Sequence, residues 1–277
     1  MTTELPPMND LLKQVGACLR DARRVAILTG AGISAESGIP TFRDALTGLW
    51  ARFNPADLAT PEAFFRNPER VSRWYDERRC QVAQCQPNPG HLALARLQKC
   101  MVGQGKTFAL ITQNVDRLHH AAGSTGVIEL HGSLWVWRCV ACGKEVEERG
   151  PAFDSYPPCC ACGGFRRPGV VWFGEMLPAE ALAAAERAVE ACDYFMSIGT
   201  SAAVYPAAGL IAQALRTRAN VLEVNPEETP FSARADWSIR GQSGQVLPRI
   251  VDEAFGVATA AHHQSEGSDG NRCTEES

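Results

Sequence analysis

The sequence predicts an α/β fold, a doubly wound parallel sheet interrupted by a helical insertion and by a small cysteine-bound module. Three observations carry this. Five short apolar runs, residues 25–29, 108–112, 127–130, 194–198 and 221–224, each end at a polar or glycine-containing turn, as buried parallel strands do. Helical stretches alternate with them, which is the pattern of βαβ units. Two Cys-x-x-Cys pairs fall together between the third and fourth runs.

In chain order, residues 25–29 lead into Gly30-Ala31-Gly32-Ile33-Ser34-Ala35. Gly30 and Gly32 permit a tight turn and let backbone approach a pyrophosphate, whose charge the next helix's N-terminal amides stabilise. Residues 44–87 break the rhythm with helical, aromatic sequence that includes Trp50, Phe53, Phe64, Phe65, Trp74 and Tyr75. Helices are expected at 91–101 after a Pro-Asn-Pro-Gly turn, at 179–191 behind Pro178 and at 207–218 behind Pro206. The strand ends carry Gly30, Gln113-Asn114-Val115-Asp116, His131-Gly132, Gly199-Thr200-Ser201 and Asn225. In a doubly wound sheet these converge on the crevice where a dinucleotide lies. The expected organisation is a Rossmann-like domain made of residues 1–43, 88–137 and 168–256, a helical insertion at 44–87, a metal module at 138–167, and a disordered polar tail at 257–277.

The chain of 277 residues, 45% hydrophobic, can bury a sizeable core, and its net charge of −4 argues against a mainly electrostatic nucleic-acid binder. No apolar run approaches the roughly 20 residues that span a bilayer, and residues 1–24 lack a signal-peptide core. A cytoplasmic protein without nucleic-acid or membrane partners is the expectation.

Of the 11 cysteines, five lie between residues 139 and 162, and such clustering favours metal over disulfides. Cys139 with Cys142, and Cys159 with Cys162, form two knuckles able to close a tetrahedron around one structural Zn²⁺, with Gly143 and Gly163-Gly164 allowing the turns. A full four-thiolate set leaves no open position for substrate. Cys-x-x-Cys spacing selects Cys159 and makes Cys160 a spare, although spacing alone leaves open whether Cys160 takes part.

The run from Gly30 through Ser34, Glu36, Ser37, Gly38, Pro40, Thr41, Phe42 and Arg43 resembles the long NAD-binding loop of the sirtuins, NAD-dependent protein deacylases. Thr112-Gln113-Asn114-Val115-Asp116 and Leu130-His131-Gly132-Ser133 match two further motifs of that family, so the resemblance extends from about residue 25 to about residue 254. It implies NAD as co-substrate and acyl-lysine proteins or peptides as partners. The acyl oxygen attacks the nicotinamide ribose C1′, and lysine, nicotinamide and 2′-O-acyl-ADP-ribose are released. His131 is then the general base, a task that imidazole suits at neutral pH. Asn114 and Asp116 position the ribose and the carboxamide, with Gln113 in the same motif. Phe42 and Arg43 close the loop over the cofactor. Gly199, Thr200 and Ser201 form the second phosphate loop, and Asn225, Glu227 and Ser243 lie toward the adenosine. Residues 170–175 resemble the strand that pairs with substrate peptide, with Val171 and Phe173 lining the acyl tunnel.

Tyr75 and Arg78 place a phenol and a guanidinium three residues apart on one helix face. Such a pair can hold the terminal carboxylate of a succinyl, malonyl or glutaryl group. The desuccinylase branch of the sirtuins carries the same Tyr-x-x-Arg pair with a small residue, here Ala59, in Asp-Leu-Ala-Thr-Pro. Desuccinylase and demalonylase activity with some deacetylase activity is therefore expected. A predominant lysine deacetylase, and a mono-ADP-ribosyltransferase on the same fold, are the alternatives. A nicotinamide dehydrogenase leaves the acyl pocket and metal module unexplained.

Overall fold

A computed structural model describes residues 8–41 and 54–257. Phe42, Arg43, Trp50 and Phe53 lie outside the described residues, as does the polar tail from residue 258. The strands are β1 (Arg24–Thr29), β2 (Thr107–Thr112), β3 (Ile128–Glu129), β4 (Gly132–Cys139), β5 (Glu145–Glu147), β6 (Arg166–Val170), β7 (Tyr194–Ile198), β8 (Asn220–Val224) and β9 (Trp237–Ile239). The helices are α1 (Met8–Asp21), α2 (Pro61–Arg66), α3 (Pro68–Val82), α4 (Pro89–Gly103), α5 (Leu118–Ala121), α6 (Ala179–Ala191), α7 (Ala207–Ala214) and α8 (Ser243–Phe255).

Six strands form one sheet in the order β3-β2-β1-β7-β8-β9, parallel throughout. Because the side-chain period of a strand is two, β1 buries both faces. Val25 and Ile27 join a core with α1, α4 and α8, whereas Ala26 and Leu28 join one with α6 and α7. The order reverses between β1 and β7, so the loops that leave their carboxyl ends diverge and open a crevice.

Polar caps and prolines start the helices of the insertion and the one that follows it. Thr60, Asn67 and Asn88 each accept a backbone N–H of the first turn, and proline sits at the start of α2, α3 and α4. The insertion packs on a second sheet, β5-β4-β6, which is antiparallel. Their shared core contains Phe64, Val71, Trp74, Trp137 and Trp172, and burying each such side chain stabilises the contact by about 1.5–3 kcal/mol. Gly132 starts β4 with φ +72°, and a Cβ there would stand 2.0 Å from the Gly169 carbonyl oxygen. Only glycine permits the turn that hands the chain from His131 into the small sheet.

Three elements differ from expectation. The strand expected at 127–130 pairs only over Ile128–Glu129. The helix expected to reach residue 218 ends at Ala214, where Thr217 Oγ1 donates to the Ala214 carbonyl at 2.7 Å and caps it. The strand expected over 170–175 stops at Val170. Beyond it, Gly174 at φ +87° and the Trp172 amide donating to Glu175 Oε2 at 2.9 Å fold the chain into a turn.

Candidate active site

The crevice is built by backbone meeting backbone. The Gly30 amide donates to the Ile198 carbonyl at 3.0 Å and the Gly32 amide to the Gly199 carbonyl at 2.7 Å. A Cβ on Gly32 would lie 2.7 Å from Gly199 Cα, and one on Gly199, itself at φ +57°, would lie 2.4 Å from the Ile33 amide. The two glycine loops can close together only without side chains. This leaves a backbone-lined cradle at the switch point, shaped for a pyrophosphate.

The cradle opens into a cavity of about 1060 Å³. Gly30, Ala31, Gly32, Ser34, Glu36, Gln113, Asn114, Asp116, Gly199, Thr200, Ser201, Asn225 and Glu227 line it, and so do His131, Ala59, Tyr75, Arg78, Val171 and Phe173. Asn225 Nδ2 donates to the Glu227 carbonyl at 2.8 Å, which fixes the amide at the end of β8. Ser243 is buried behind the wall, 4% exposed. Its hydroxyl and the Gly244 amide face the Glu36 carboxylate at 3.5 and 2.6 Å, so Glu36 caps α8 while Gln242 lines the cavity.

Three polar groups converge under the cradle. Asn114 Nδ2 donates to the Gly30 carbonyl at 3.0 Å and to Ser34 Oγ at 3.2 Å, while Ser34 Oγ donates to Asp116 Oδ2 at 2.8 Å. Burial pushes the Asp116 carboxyl above its ordinary range, opposed by hydrogen bonds from the Leu118 amide and Ser34. His91 lies behind Ser34, its Nε2 at 3.4 Å from the hydroxyl. Its Nδ1 takes the Asn88 amide of the helix cap, and burial pushes its pKa down to about 4. Sequence reading missed His91, whose signal is the capping position three residues after Asn88. His119, buried beside it, bonds Thr29 through Nε2 at 2.9 Å.

His131 sits at the hinge between the two sheets. Its Nδ1 lies 2.9 Å from the Gln113 carbonyl, which can only accept, so Nδ1 carries the proton and Nε2 keeps its lone pair. Burial holds the imidazole below its ordinary pKa, partly offset by that hydrogen bond. The ring is therefore neutral at pH 7, with a basic nitrogen in the cavity wall. The peptide behind it is held as the Val171 amide donates to the His131 carbonyl at 2.9 Å, and the Phe173 amide ties the next turn to the Ala59 carbonyl at 2.9 Å.

On α3, Tyr75 Oη accepts from Trp172 Nε1 at 3.0 Å. Arg78 lies over the Trp74 ring, 3.2 Å from its centroid, and donates to the Trp74 carbonyl at 3.0 Å. Burial lowers the guanidinium pKa to about 10, so it remains charged at pH 7. Sequence reading missed Trp74, Gln81, Val82 and Cys85 on the same cavity wall. Trp74, Gln81 and Val82 share the Tyr75 and Arg78 face of α3 at helical spacings, and Cys85 lies just past the helix end.

The metal module corrects one ligand. Cys139, Cys142, Cys160 and Cys162 bring their sulfurs within 4.8 Å of one another, with Cys139 to Cys162 at 3.5 Å and Cys142 to Cys160 at 3.8 Å. Four thiolates on one tetrahedral zinc stand about 3.8 Å apart, so the donor set fits. Cys159 instead pairs with Phe165 in a β-bridge and is exposed, whereas Cys160 is 6% exposed and its carbonyl closes the turn with the Gly163 amide at 2.9 Å. The second knuckle is Cys-x-Cys, and a Cβ on Gly164 would come within 3.0 Å of Cys139 Sγ.

Comparison with known proteins agrees with this geometry. The Sir2 family model matches residues 30–206, more than half of the chain. An NAD-dependent protein deacylase of Ralstonia nicotianae is 52% identical over 242 residues, covering 86% of this chain and 95% of its own. A solved Sir2 homolog–NAD complex superposes with a TM-score of 0.81 at 44% identity, covering 90% of this chain and 94% of that one. A Sir2 structure with a deacetylated p53 peptide and 3′-O-acetyl-ADP-ribose superposes at 0.79 with 34% identity, covering 91% and 99%. A family model over more than half of the chain and a relative 52% identical over most of both chains show that the chain belongs to the Sir2 family of NAD-dependent protein deacylases.

Proposed function

We propose that this NAD-dependent deacylase acts chiefly on lysines bearing short dicarboxylic acyl groups, succinyl and malonyl, and more slowly on acetyl-lysine in proteins or peptides. The observation that carries the proposal is that Tyr75 and Arg78 line the same cavity as His131 and the glycine cradle. When bound, NAD supplies a ribose carbon open to the acyl oxygen and a ribose hydroxyl whose proton can be removed. His131 Nε2 accepts that proton. Asn114, held by Gly30 and Ser34, orients the ribose, and Asp116, fixed by Ser34, faces the carboxamide.

Ala59 leaves room for the longer chain. Arg78 supplies a charge-assisted hydrogen bond to the acyl carboxylate, and Tyr75, whose oxygen already accepts from Trp172, donates its own proton. A hydrogen bond to a charged group contributes about 1.5–3 kcal/mol, roughly 10- to 100-fold in affinity. Arg78→Met should therefore lower kcat/KM on a succinyl-lysine peptide by about that factor and leave an acetyl-lysine peptide within about threefold. The contact of Arg78 with Trp74 favours a second reading, a mainly acetyl-directed enzyme in which the guanidinium only braces α3. Equal losses on both peptides would support that reading and sink the first.

A further inference from the structure

Two charged residues of α3 that take no part in the cavity are fully buried. Asp76 and Arg79 are 0% and 1% exposed and pair at 2.7 Å. Each stands one position after a pocket residue, Tyr75 or Arg78, and so points about 100° further round the helix. Asp76 Oδ1 accepts from Arg79 Nε at 2.8 Å, and Asp76 Oδ2 accepts from the Phe153 amide at 2.9 Å and the Tyr156 hydroxyl at 2.7 Å. Arg79 donates to the carbonyls of Glu148, Gly150 and Pro151 at 3.3, 2.7 and 2.7 Å. One ion pair thus serves three carbonyls and one amide of an irregular segment of the metal module.

A buried ion pair is a poor way to add stability, since apolar residues of equal volume often do better. What this pair does fix is position. Its partners are directional, and they pin α3 in rotation and along its axis against residues 148–156. Trp172, on the turn after β6, holds Tyr75 on the neighbouring face of the helix. A slip of α3 past that segment would carry Arg78 away from the far end of an acyl chain, while the NAD cradle and His131, on other elements, would stay in place.

We propose that Asp76, Arg79 and Tyr156 form a latch of positioning residues that sets acyl selectivity by holding Tyr75 and Arg78 in register with the cavity. The inference rests on the dicarboxylic-acyl reading above. The test compares kcat/KM for succinyl- and acetyl-lysine peptides, together with KM for NAD, in the full chain and in Tyr156→Phe and Arg79→Lys. Tyr156→Phe removes one hydrogen bond from the latch and keeps the pair, so it folds where Arg79→Lys fails to. The succinyl-to-acetyl ratio should fall about three- to tenfold, with acetyl turnover and KM for NAD unchanged. A general loosening would lower both peptides together, and a folded Tyr156→Phe with parallel losses or an unchanged ratio overturns the latch. A wild-type enzyme that prefers acetyl-lysine overturns the pocket reading itself, and the latch with it.

Discussion

His131 has one hydrogen bond whose direction decides its chemistry. Because the Gln113 carbonyl can only accept, the ring presents Nε2 with its lone pair, and burial holds its pKa below the ordinary imidazole value. Activity should be full above the His131 pKa and fall as pH drops through it, so the acid limb of kcat/KM should have its midpoint below 6.5. His131→Ala should remove that limb and lower kcat by about 10²- to 10⁴-fold, read by nicotinamide release. The motif around His131 singled the residue out in the sequence, and the structure lines the cavity with it. The metal ligands were less legible, because two adjacent cysteines fit the same knuckle and only the β-bridge of Cys159 with Phe165 turns one outward. Cys160→Ser should release zinc and Cys159→Ser retain it, measured by metal content of the purified variants; the reverse result would restore the Cys-x-x-Cys assignment.

Among the elements, the glycine loop and α3 show two different relations of sequence to site. The loop is specified residue by residue, since Gly30, Gly32 and Gly199 stand where any Cβ would meet backbone. Gly32→Ala should raise KM for NAD and destabilise the fold by about 1–3 kcal/mol as the two loops are pushed apart, checked by NAD titration and thermal melting. A variant with wild-type KM and stability would show that the close approach is not required. By contrast, α3 places its pocket residues by periodicity, which the eye catches at Tyr75 and Arg78 but not at Gln81 and Val82. Its buried face, with Asp76 and Arg79, carries no sequence signal, because an ion pair i, i+3 on a helix is ordinarily solvated.

At the scale of the whole molecule, the parallel sheet was legible because its strands are buried on both faces and read as apolar runs between turns. The antiparallel sheet β5-β4-β6 was not, since β5 is three residues of mostly exposed, charged sequence and β4 follows the histidine motif without a break. Yet that small sheet joins the two halves of the site. Gly132 passes the chain from His131 into β4, β6 leads to the turn holding Trp172, and the module behind them is tied to α3. Among the described residues, no helix is long and apolar enough to cross a membrane. The central claim, an NAD-consuming deacylase tuned to dicarboxylic acyl groups, is tested most directly by one competition. The enzyme is incubated with NAD and equal amounts of succinyl- and acetyl-lysine peptides, and each O-acyl-ADP-ribose is followed by mass spectrometry. O-succinyl-ADP-ribose accumulating first, together with free lysine peptide and nicotinamide, is the expected result. O-acetyl-ADP-ribose alone, or ADP-ribose attached to protein with no acyl product, would contradict it.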